Sequence, residues 1–217
     1  MANRKEVHFF DNEKRFMNRK VDYSIYHSSF SPKGSDRLFG ESTPVYMYWY
    51  PAPRRIWEYN SEMKWILILR NPIERAFSHW NMERDRGREQ LSFLDAIMME
   101  RVRCREALPH QHRVYSYVDR GFYAEQIRRI WHYFPVEQTL ILRNEALWNE
   151  FETSLDKVCD FLGVERLMHA KAKVVHSRPY VAQLTESERN YLKDVYQFEI
   201  RELERLLGWD CSQWLND

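Results

Sequence analysis

The pattern of apolar and polar positions predicts a chain in which helices alternate with a few short strands. Residues 65–69 form an unbroken apolar run, as expected for a parallel strand covered on both faces. A second strand is predicted over 138–143, and a strand with a turn over 38–50. This alternation predicts one α/β domain over residues 1–217, with a parallel sheet between layers of helices.

The helices are predicted from apolar spacing and from capping residues. Six are expected, over residues 51–60, 72–86, 92–106, 122–134, 152–162 and 185–207. Gly87 and Gly208 follow the ends of two of these helices, where glycine readily adopts the left-handed conformation. Thr185-Glu186-Ser187-Glu188 is typical of a capping box, and Thr153 or Ser154 is the expected cap of the fifth helix.

The junction between the first buried strand and the next helix is the most informative segment. Asn71 is placed as an N-cap, Pro72 occupies the first helical position, and Glu74 falls where a capping box needs its carboxylate. Arg70 therefore emerges at the carboxyl end of a strand beside a helix N-terminus, a position that favours binding of an anion. Ser78 lies two turns into the helix and offers a hydroxyl to the same anion. The alternative is an ordinary strand–helix unit with a surface arginine.

The sequence around this junction resembles a known protein family. Arg70-Asn71-Pro72, followed by Arg75 and Ser78, is similar to the 3′-phosphate-binding segment of the sulfotransferases. Four more segments resemble motifs of the carbohydrate (heparan-sulfate-like) members and occur in the family's order: Lys5–Asp11, Gly40–Tyr46, Gly121–Ile127 and Ser177–Tyr180. The resemblance extends over essentially the whole chain and implies a three-layer, P-loop-NTPase-like parallel sheet with flanking helices.

The resemblance also implies an activity and a donor site. The family transfers a sulfuryl group from 3′-phosphoadenosine-5′-phosphosulfate (PAPS) to a hydroxyl or amine, here of a carbohydrate acceptor. Arg70 and Ser78 would hold the 3′-phosphate of PAPS or of its product 3′-phosphoadenosine-5′-phosphate (PAP). Ser177, Arg178 and Tyr180 belong to the basic loop that would cover this donor. The alternative for Arg178 is a solvated loop charge.

The acceptor side is implied by two N-terminal segments. Glu6 matches the base that deprotonates the acceptor hydroxyl, and His8 is placed to orient Glu6 or to contact acceptor or sulfate. Without the resemblance, Glu6 would be interpreted as a surface carboxylate and His8 as a histidine satisfied within the core. Glu41 and Ser42 occupy the segment that contacts substrate, although Ser42 stands where a lysine is common.

The chain departs from the family pattern at its start. Relatives begin with a strand, a K-x-G-T-[ST] loop for the phosphosulfate and a helix, whereas Met1 here lies five residues before Glu6. The turn at Gly34 lacks a preceding apolar strand and is expected at the surface. We therefore expect a sheet of about four strands with an open gap, and poor transfer unless that segment is supplied. The alternative function is a non-catalytic remnant that binds only the 3′-phosphoadenosine part of the nucleotide.

Composition and charge limit the partners. The formal net charge is +1, so no broad field for nucleic acid is expected. Arg101, Arg103 and Arg105 form a local basic cluster whose alternative is a solvated helix face. The gap expected in the sheet makes a homodimer one further expectation.

The cysteine and histidine positions exclude two other kinds of site. Three widely spaced cysteines form neither a disulfide framework nor a C-x-x-C metal motif. His110-Gln111-His112 lacks a third ligand at recognisable spacing, so no metal cofactor is expected. Neither a signal peptide nor a transmembrane run is visible in the sequence, which predicts a cytoplasmic location.

Overall fold

The computed structural model of the chain describes residues 1–18, 20–34, 38–167, 170 and 180–216. They divide into two compact units. The first comprises Met1–Met63 with Arg129–Phe134, and the second comprises Lys64–Arg128 with Pro135–Asp217. The single domain expected from the sequence stays a prediction.

Short helices and an aromatic core build the first unit. A 3₁₀ turn at Glu13–Arg15 is followed by α1 (Ser24–His27), α2 (Val45–Tyr48) and α3 (Ala52–Tyr59). Phe9 and Phe10 are at most 1% exposed, and their rings pack edge-to-face with centroids 5.1 Å apart. Many of the chain's aromatic residues therefore serve the core rather than a sugar-binding surface.

The strand predicted over 38–50 is wrong, because this segment contains the helix α2. Val45, Tyr46, Tyr48 and Trp49 are all buried, a spacing that fits a helix rather than the alternation of a strand. Pro44, at the N-cap with a φ of −56°, already has a helical backbone and lacks the N–H that a sheet ladder needs.

The second unit contains the sheet. Strands β1 (Trp65–Leu69) and β2 (Thr139–Arg143) pair in parallel, with Trp65 opposite Thr139 and Leu69 opposite Arg143. Both strands were predicted, but the described residues contain a two-stranded sheet instead of about four strands. The α/β class is confirmed, since helices pack around a parallel sheet.

The helices of the second unit follow the predicted order closely. Those that the structure describes are α4 (Pro72–Asp85), α5 (Phe93–Arg105), α6 (Tyr123–Tyr133), α7 (Ala146–Asn149), α8 (Phe151–Leu162), α9 (Glu186–Leu207) and α10 (Gln213–Asn216). Arg129–Tyr133 of α6 are assigned to the first unit. None of the described helices combines the length and apolar character needed to cross a membrane.

Burial on β1 differs from the sequence expectation. Trp65, Leu67 and Leu69 are buried, whereas Ile66 is 38% and Ile68 is 52% exposed. An unbroken apolar run predicts a strand covered on both faces, so this part of the prediction is wrong. An apolar run shows that the side chains on both faces of the strand are apolar, but it does not show which face is packed against other residues.

Capping residues were predicted with mixed success. Thr185 and Glu188 form the predicted capping box at α9, and Gly208 follows its end with a φ of 65°. The predicted caps of α8 are wrong, because this helix begins at Phe151 after Glu150, which makes no side-chain capping bond. Ser154 instead donates its hydroxyl proton to the Ala146 carbonyl at 3.2 Å.

All three cysteines are free thiols. Cys159 is 3% exposed within α8, as predicted for a small core residue. Cys211 is also buried, and burial raises the pKa of its thiol to about 11. The Cys211 thiol is therefore not poised as a nucleophile at neutral pH.

Gly121 lies where a side chain has no room. A Cβ at this position would come within 2.4 Å of the Tyr196 hydroxyl oxygen. Tyr196 is fully buried and donates that hydroxyl to the Val118 carbonyl at 2.7 Å, so it cannot move aside without losing a buried hydrogen bond.

Gly121→Ala is therefore expected to lower the free energy of unfolding by about 1–3 kcal/mol, the usual cost of overpacking. Chemical denaturation of the variant and of the parent protein measures this difference. Gly34→Ala is the matched control, because a Cβ there meets no atom of the described residues within 4 Å. Equal destabilisation by both changes would contradict the steric explanation.

Candidate active site

Arg70 is held at the carboxyl end of β1. Its carbonyl accepts a hydrogen bond from the Tyr123 hydroxyl at 3.1 Å, and Tyr123 is itself buried. The next residue, Asn71, caps α4 as predicted by accepting from the Ile73 N–H at 3.0 Å, and its amide donates to the Trp214 carbonyl at 3.3 Å. These bonds fix the backbone from which the partly exposed Arg70 side chain projects.

Glu74 lies between two guanidinium groups. Its Oε1 accepts from Arg189 Nη2 at 2.7 Å, and its Oε2 lies 3.9 Å from Arg70 Nη2. The carboxylate predicted for a capping box at α4 is thus directed to arginines instead, because these charges attract it more strongly than a neutral N–H does. Arg189 Nη1 is buried and has no hydrogen-bond partner among the residues that the structure describes. A buried guanidinium N–H without an acceptor is costly, which is expected where an anionic ligand completes the site.

A cleft of about 660 Å³ lies beside this carboxylate. Its walls are Glu74 and Phe77 of α4, residues 180–184, and Arg189 of α9. Tyr180 packs edge-to-face on Phe77, with ring centroids 5.4 Å apart, and the Val181 N–H donates to Asn81 Oδ1 at 3.0 Å. The volume falls in the range of small-molecule sites.

A smaller cavity of about 260 Å³ adjoins the carboxyl ends of the two strands. Glu74, Arg143 and Glu145 are among its lining residues. The Asn144 N–H donates to the Leu69 carbonyl at 2.7 Å, which fixes this edge just beyond the last strand pair. Glu74 therefore lines both cavities.

In the first unit, Glu6, His8 and Asp11 form a chain of hydrogen bonds. His8 Nε2 lies 3.3 Å from Glu6 Oε2, and His8 Nδ1 lies 2.9 Å from Asp11 Oδ2. Asp11 is fully buried, whereas the Glu6 and His8 side chains are partly exposed. The imidazole can thus hold the exposed carboxylate in one orientation while the buried one holds the imidazole.

The backbone of this segment is strained at both exposed residues. Glu6 has a φ of 60° and His8 a φ of 54°, in the left-handed region that non-glycine residues rarely adopt. Such conformations cost about 1–3 kcal/mol each and persist where surrounding bonds enforce them. The strained backbone accompanies the contact between the Glu6 and His8 side chains.

Residues 41–46 supply the enforcing bonds. The Glu6 N–H donates to the Ser42 carbonyl at 3.1 Å, and the Phe9 N–H donates to the Tyr46 hydroxyl at 2.9 Å. Between them, Thr43 Oγ1 accepts from the Val7 N–H at 3.0 Å and donates to Glu41 Oε2 at 2.6 Å. Burial raises the pKa of the Glu41 carboxyl. In this structure Glu41 and Ser42 position the Glu6 segment, and contact of either with substrate stays a prediction.

The pKa of His8 is raised, first by its hydrogen bond to Asp11. Asp11→Asn removes the negative charge but keeps the shape, so we expect the pKa of His8 to fall toward its ordinary value. A pH titration of the His8 ring resonances by NMR measures the change, and the resonances of His110 serve as an internal control. An unchanged His8 pKa would contradict the coupling.

The same coupling sets a direction for the pH dependence of stability. Because the folded-state pKa of His8 lies above 6.5, His8 stabilises the fold fully below pH 6.5. This contribution is lost as the pH rises through the folded-state pKa, and Asp11→Asn should weaken that dependence.

In the first unit the structure brings Glu6 and His8 together, with Glu41 and Ser42 adjoining the same segment. In the second unit Arg70 lies at the carboxyl end of β1 beside Glu74. Ser78 is half-buried on α4, one turn beyond Glu74 and on the same face. Ser177 and Arg178 lie outside the described residues, so only Tyr180 of the predicted covering loop is placed. Sequence reasoning did not single out Asp11 and Arg189, which the structure places in contact with predicted site residues or with Glu74. The three-residue spacing from His8 was a usable signal for Asp11, whereas nothing local distinguished Arg189 from other helix-surface arginines.

Comparison with known proteins agrees with this architecture. The sulfotransferase domain model matches residues 6–198. A sulfotransferase crystal structure from Alicyclobacillus acidocaldarius superposes with a TM-score of 0.81 over 98% of this chain and 87% of that chain, at 24% identity. The fold is thus an α/β sulfotransferase fold. The chain belongs to the sulfotransferase domain family, and the predicted enzyme class is confirmed at the level of the family.

Curated relatives carry more specific names. Human heparan sulfate glucosamine 3-O-sulfotransferase 6 is 29% identical over 167 residues, covering 76% of this chain and 45% of that protein. Human heparan sulfate glucosamine 3-O-sulfotransferase 3B1 is 26% identical over 175 residues, covering 76% and 40%. The chain spans about half the length of the curated relatives it matches.

Proposed function

We propose that this protein transfers a sulfuryl group from PAPS to a hydroxyl or amine of a saccharide. The observation that carries the proposal is the pair of guanidinium groups, of Arg70 and Arg189, around Glu74. Glu74 and Arg189 also line a cleft whose volume falls in the range of small-molecule sites. Membership of the sulfotransferase family supports the reaction class.

On the donor side, Arg70, Ser78 and Arg189 bind the 3′-phosphate of PAPS. Two guanidiniums and a hydroxyl match the charge and the acceptor oxygens of a phosphate. Glu74 holds both arginines in place before the donor arrives, and Arg189 Nη1 supplies a buried N–H that no described residue accepts. Tyr180 lines the same cleft and offers an aromatic surface to the nucleotide.

On the acceptor side, Glu6 acts as the general base. The acceptor oxygen or nitrogen attacks sulfur, the bond from sulfur to the bridging phosphate oxygen breaks, and PAP leaves. Glu6 takes the acceptor proton, while His8 and Asp11 keep the Glu6 carboxylate oriented. Positioning and charge stabilisation provide most of the catalysis in such group transfers.

A saccharide is the proposed acceptor because the curated relatives are named for heparan sulfate glucosamine. The net charge of +1 gives this chain no broad cationic surface for a highly sulfated polymer. We therefore propose that local contacts around Glu6, Glu41 and Ser42 select the acceptor.

The proposal is tested by incubating the protein with PAPS and a panel of glucosamine-containing oligosaccharides, and following both PAP release and sulfated product by mass spectrometry. Calorimetric titration with PAP is run in parallel. Transfer that depends on the acceptor supports the proposal. Tight PAP binding without transfer to any acceptor favours the non-catalytic alternative, and absence of PAP binding overturns the donor assignment.

A further inference from the structure

Helix α5 is apolar on two opposite faces. Phe93, Ala96 and Ile97 are at most 4% exposed and pack into the second unit. Met98 and Val102, on the other face, are 57% and 53% exposed. A helix that only covers a core needs a single apolar stripe, so the second face calls for another explanation.

The exposed face is a continuous stripe. Leu94 is 39% exposed and precedes Met98 by four residues, and Val102 follows Met98 by four. Side chains four residues apart are neighbours on a helix surface, so the three form one row along α5. Met99, 43% exposed, widens this row near its middle. Contiguous exposed apolar patches mark interaction sites more often than isolated apolar residues do.

The charges beside the stripe are arranged asymmetrically along the helix. Asp95 lies in the first turn and Arg105 in the last, and both are exposed. Arg103, by contrast, forms an ion pair within the second unit, with its Nη1 2.6 Å from Glu89 Oε2. Asp95 and Arg105 therefore place opposite charges toward the two ends of the exposed face, and the exposed Arg101 lies at its edge near the middle.

Such a face is complementary to itself. When two copies of α5 pack antiparallel about a two-fold axis level with residue 100, Met98 faces Val102 and Asp95 faces Arg105, since each pair is equidistant from the axis. The apolar row of one copy is then covered by the same row of the other, with an ion pair at either end. An anionic membrane would match Arg105 but would repel Asp95.

We propose that the exposed α5 face, formed by Leu94, Asp95, Met98, Val102 and Arg105, is an interface between two copies of this chain. Helix α5 has 13 residues and spans about 20 Å, so the contact is smaller than a standard interface of about 800 Å² per partner. The dimer is therefore reversible and dissociates on dilution. This inference does not depend on the catalytic proposal.

Sedimentation velocity over a dilution series tests the interface. The parent protein is expected to shift from dimer to monomer as it is diluted, and Met98→Glu is expected to remain monomeric at every concentration. Phe198→Glu is the matched control, because Phe198 is 71% exposed on a different helix and should leave the dimer intact. A parent protein that stays monomeric, or equal loss of the dimer in both variants, overturns the proposal.

A charge exchange gives a second, more specific test. Arg105→Asp places like charges opposite each other at both ends and is expected to weaken dimerisation about tenfold. Adding Asp95→Arg restores opposite charges and should recover the parent dissociation constant, while circular dichroism checks that every variant is folded. Failure of the double variant to recover overturns the antiparallel arrangement. If the monomer binds phosphatidylserine vesicles and Met98→Glu abolishes this binding, the exposed α5 face binds a membrane rather than a second copy, and the proposal is overturned.

Discussion

Glu6→Gln is expected to lower the turnover number for sulfuryl transfer by about 10²–10⁴-fold, the usual contribution of a general base. Glutamine keeps the shape of the side chain and its hydrogen bond to His8, but it cannot accept a proton. The left-handed backbone at Glu6 and His8 holds the carboxylate partly exposed beside the imidazole, where an acceptor hydroxyl can reach it. The effect is measured by steady-state kinetics of the full-length protein with PAPS and an accepted saccharide.

Two controls separate loss of the base from loss of structure. Glu62→Gln changes an exposed carboxylate of the same unit and should leave turnover unchanged. PAP affinity of Glu6→Gln should also be unchanged, because the proposed donor contacts come from other residues. Unchanged turnover in Glu6→Gln would move the base role to His8 or elsewhere.

The strand–helix junction was the most predictable part of the site. Asn71 caps α4 as predicted, because its capping chemistry needs only a side chain and the N–H of Ile73, two residues away. Glu74 shows the limit of the same local reasoning. Its spacing predicts a capping box, but Arg189, 115 positions away in the sequence, takes the carboxylate instead. A pattern of residues a few positions apart cannot reveal a contact between residues so distant in the sequence.

The sheet shows another limit. Alternation of strand-like and helix-like segments correctly predicts β1, β2 and the order of the long helices. It fails over 38–50, where tyrosines and a tryptophan have high strand propensity but Pro44 and the burial of Val45 and Tyr46 favour a helix. Tertiary packing of the aromatic core overrides propensity in this segment. Likewise, the strain at Glu6 follows from bonds to the distant residues 42–46, which no local pattern reveals.

Arg70→Ala is expected to weaken PAP binding by about 1.5–3 kcal/mol, or about 10–150-fold, as expected for loss of a charged hydrogen-bonding group. Its guanidinium is already positioned by Glu74 at 3.9 Å and its backbone by Tyr123, so binding needs little further ordering of this residue. Arg189→Gln is expected to weaken PAP binding about tenfold. Isothermal titration calorimetry with PAP measures both losses.

Adenosine 5′-monophosphate distinguishes a role at the 3′-phosphate from general damage to the cleft, because it lacks that phosphate. Arg70→Ala should bind this nucleotide as the parent protein does while losing affinity for PAP. Arg201→Ala, an exposed arginine on the helix that carries Arg189, is the matched control and should bind both nucleotides normally. Equal losses for the two nucleotides in Arg70→Ala would assign Arg70 to the folding of the cleft. Unchanged PAP affinity would remove Arg70 from the donor site, because deleting a partly buried guanidinium that contacts a phosphate lowers the binding free energy.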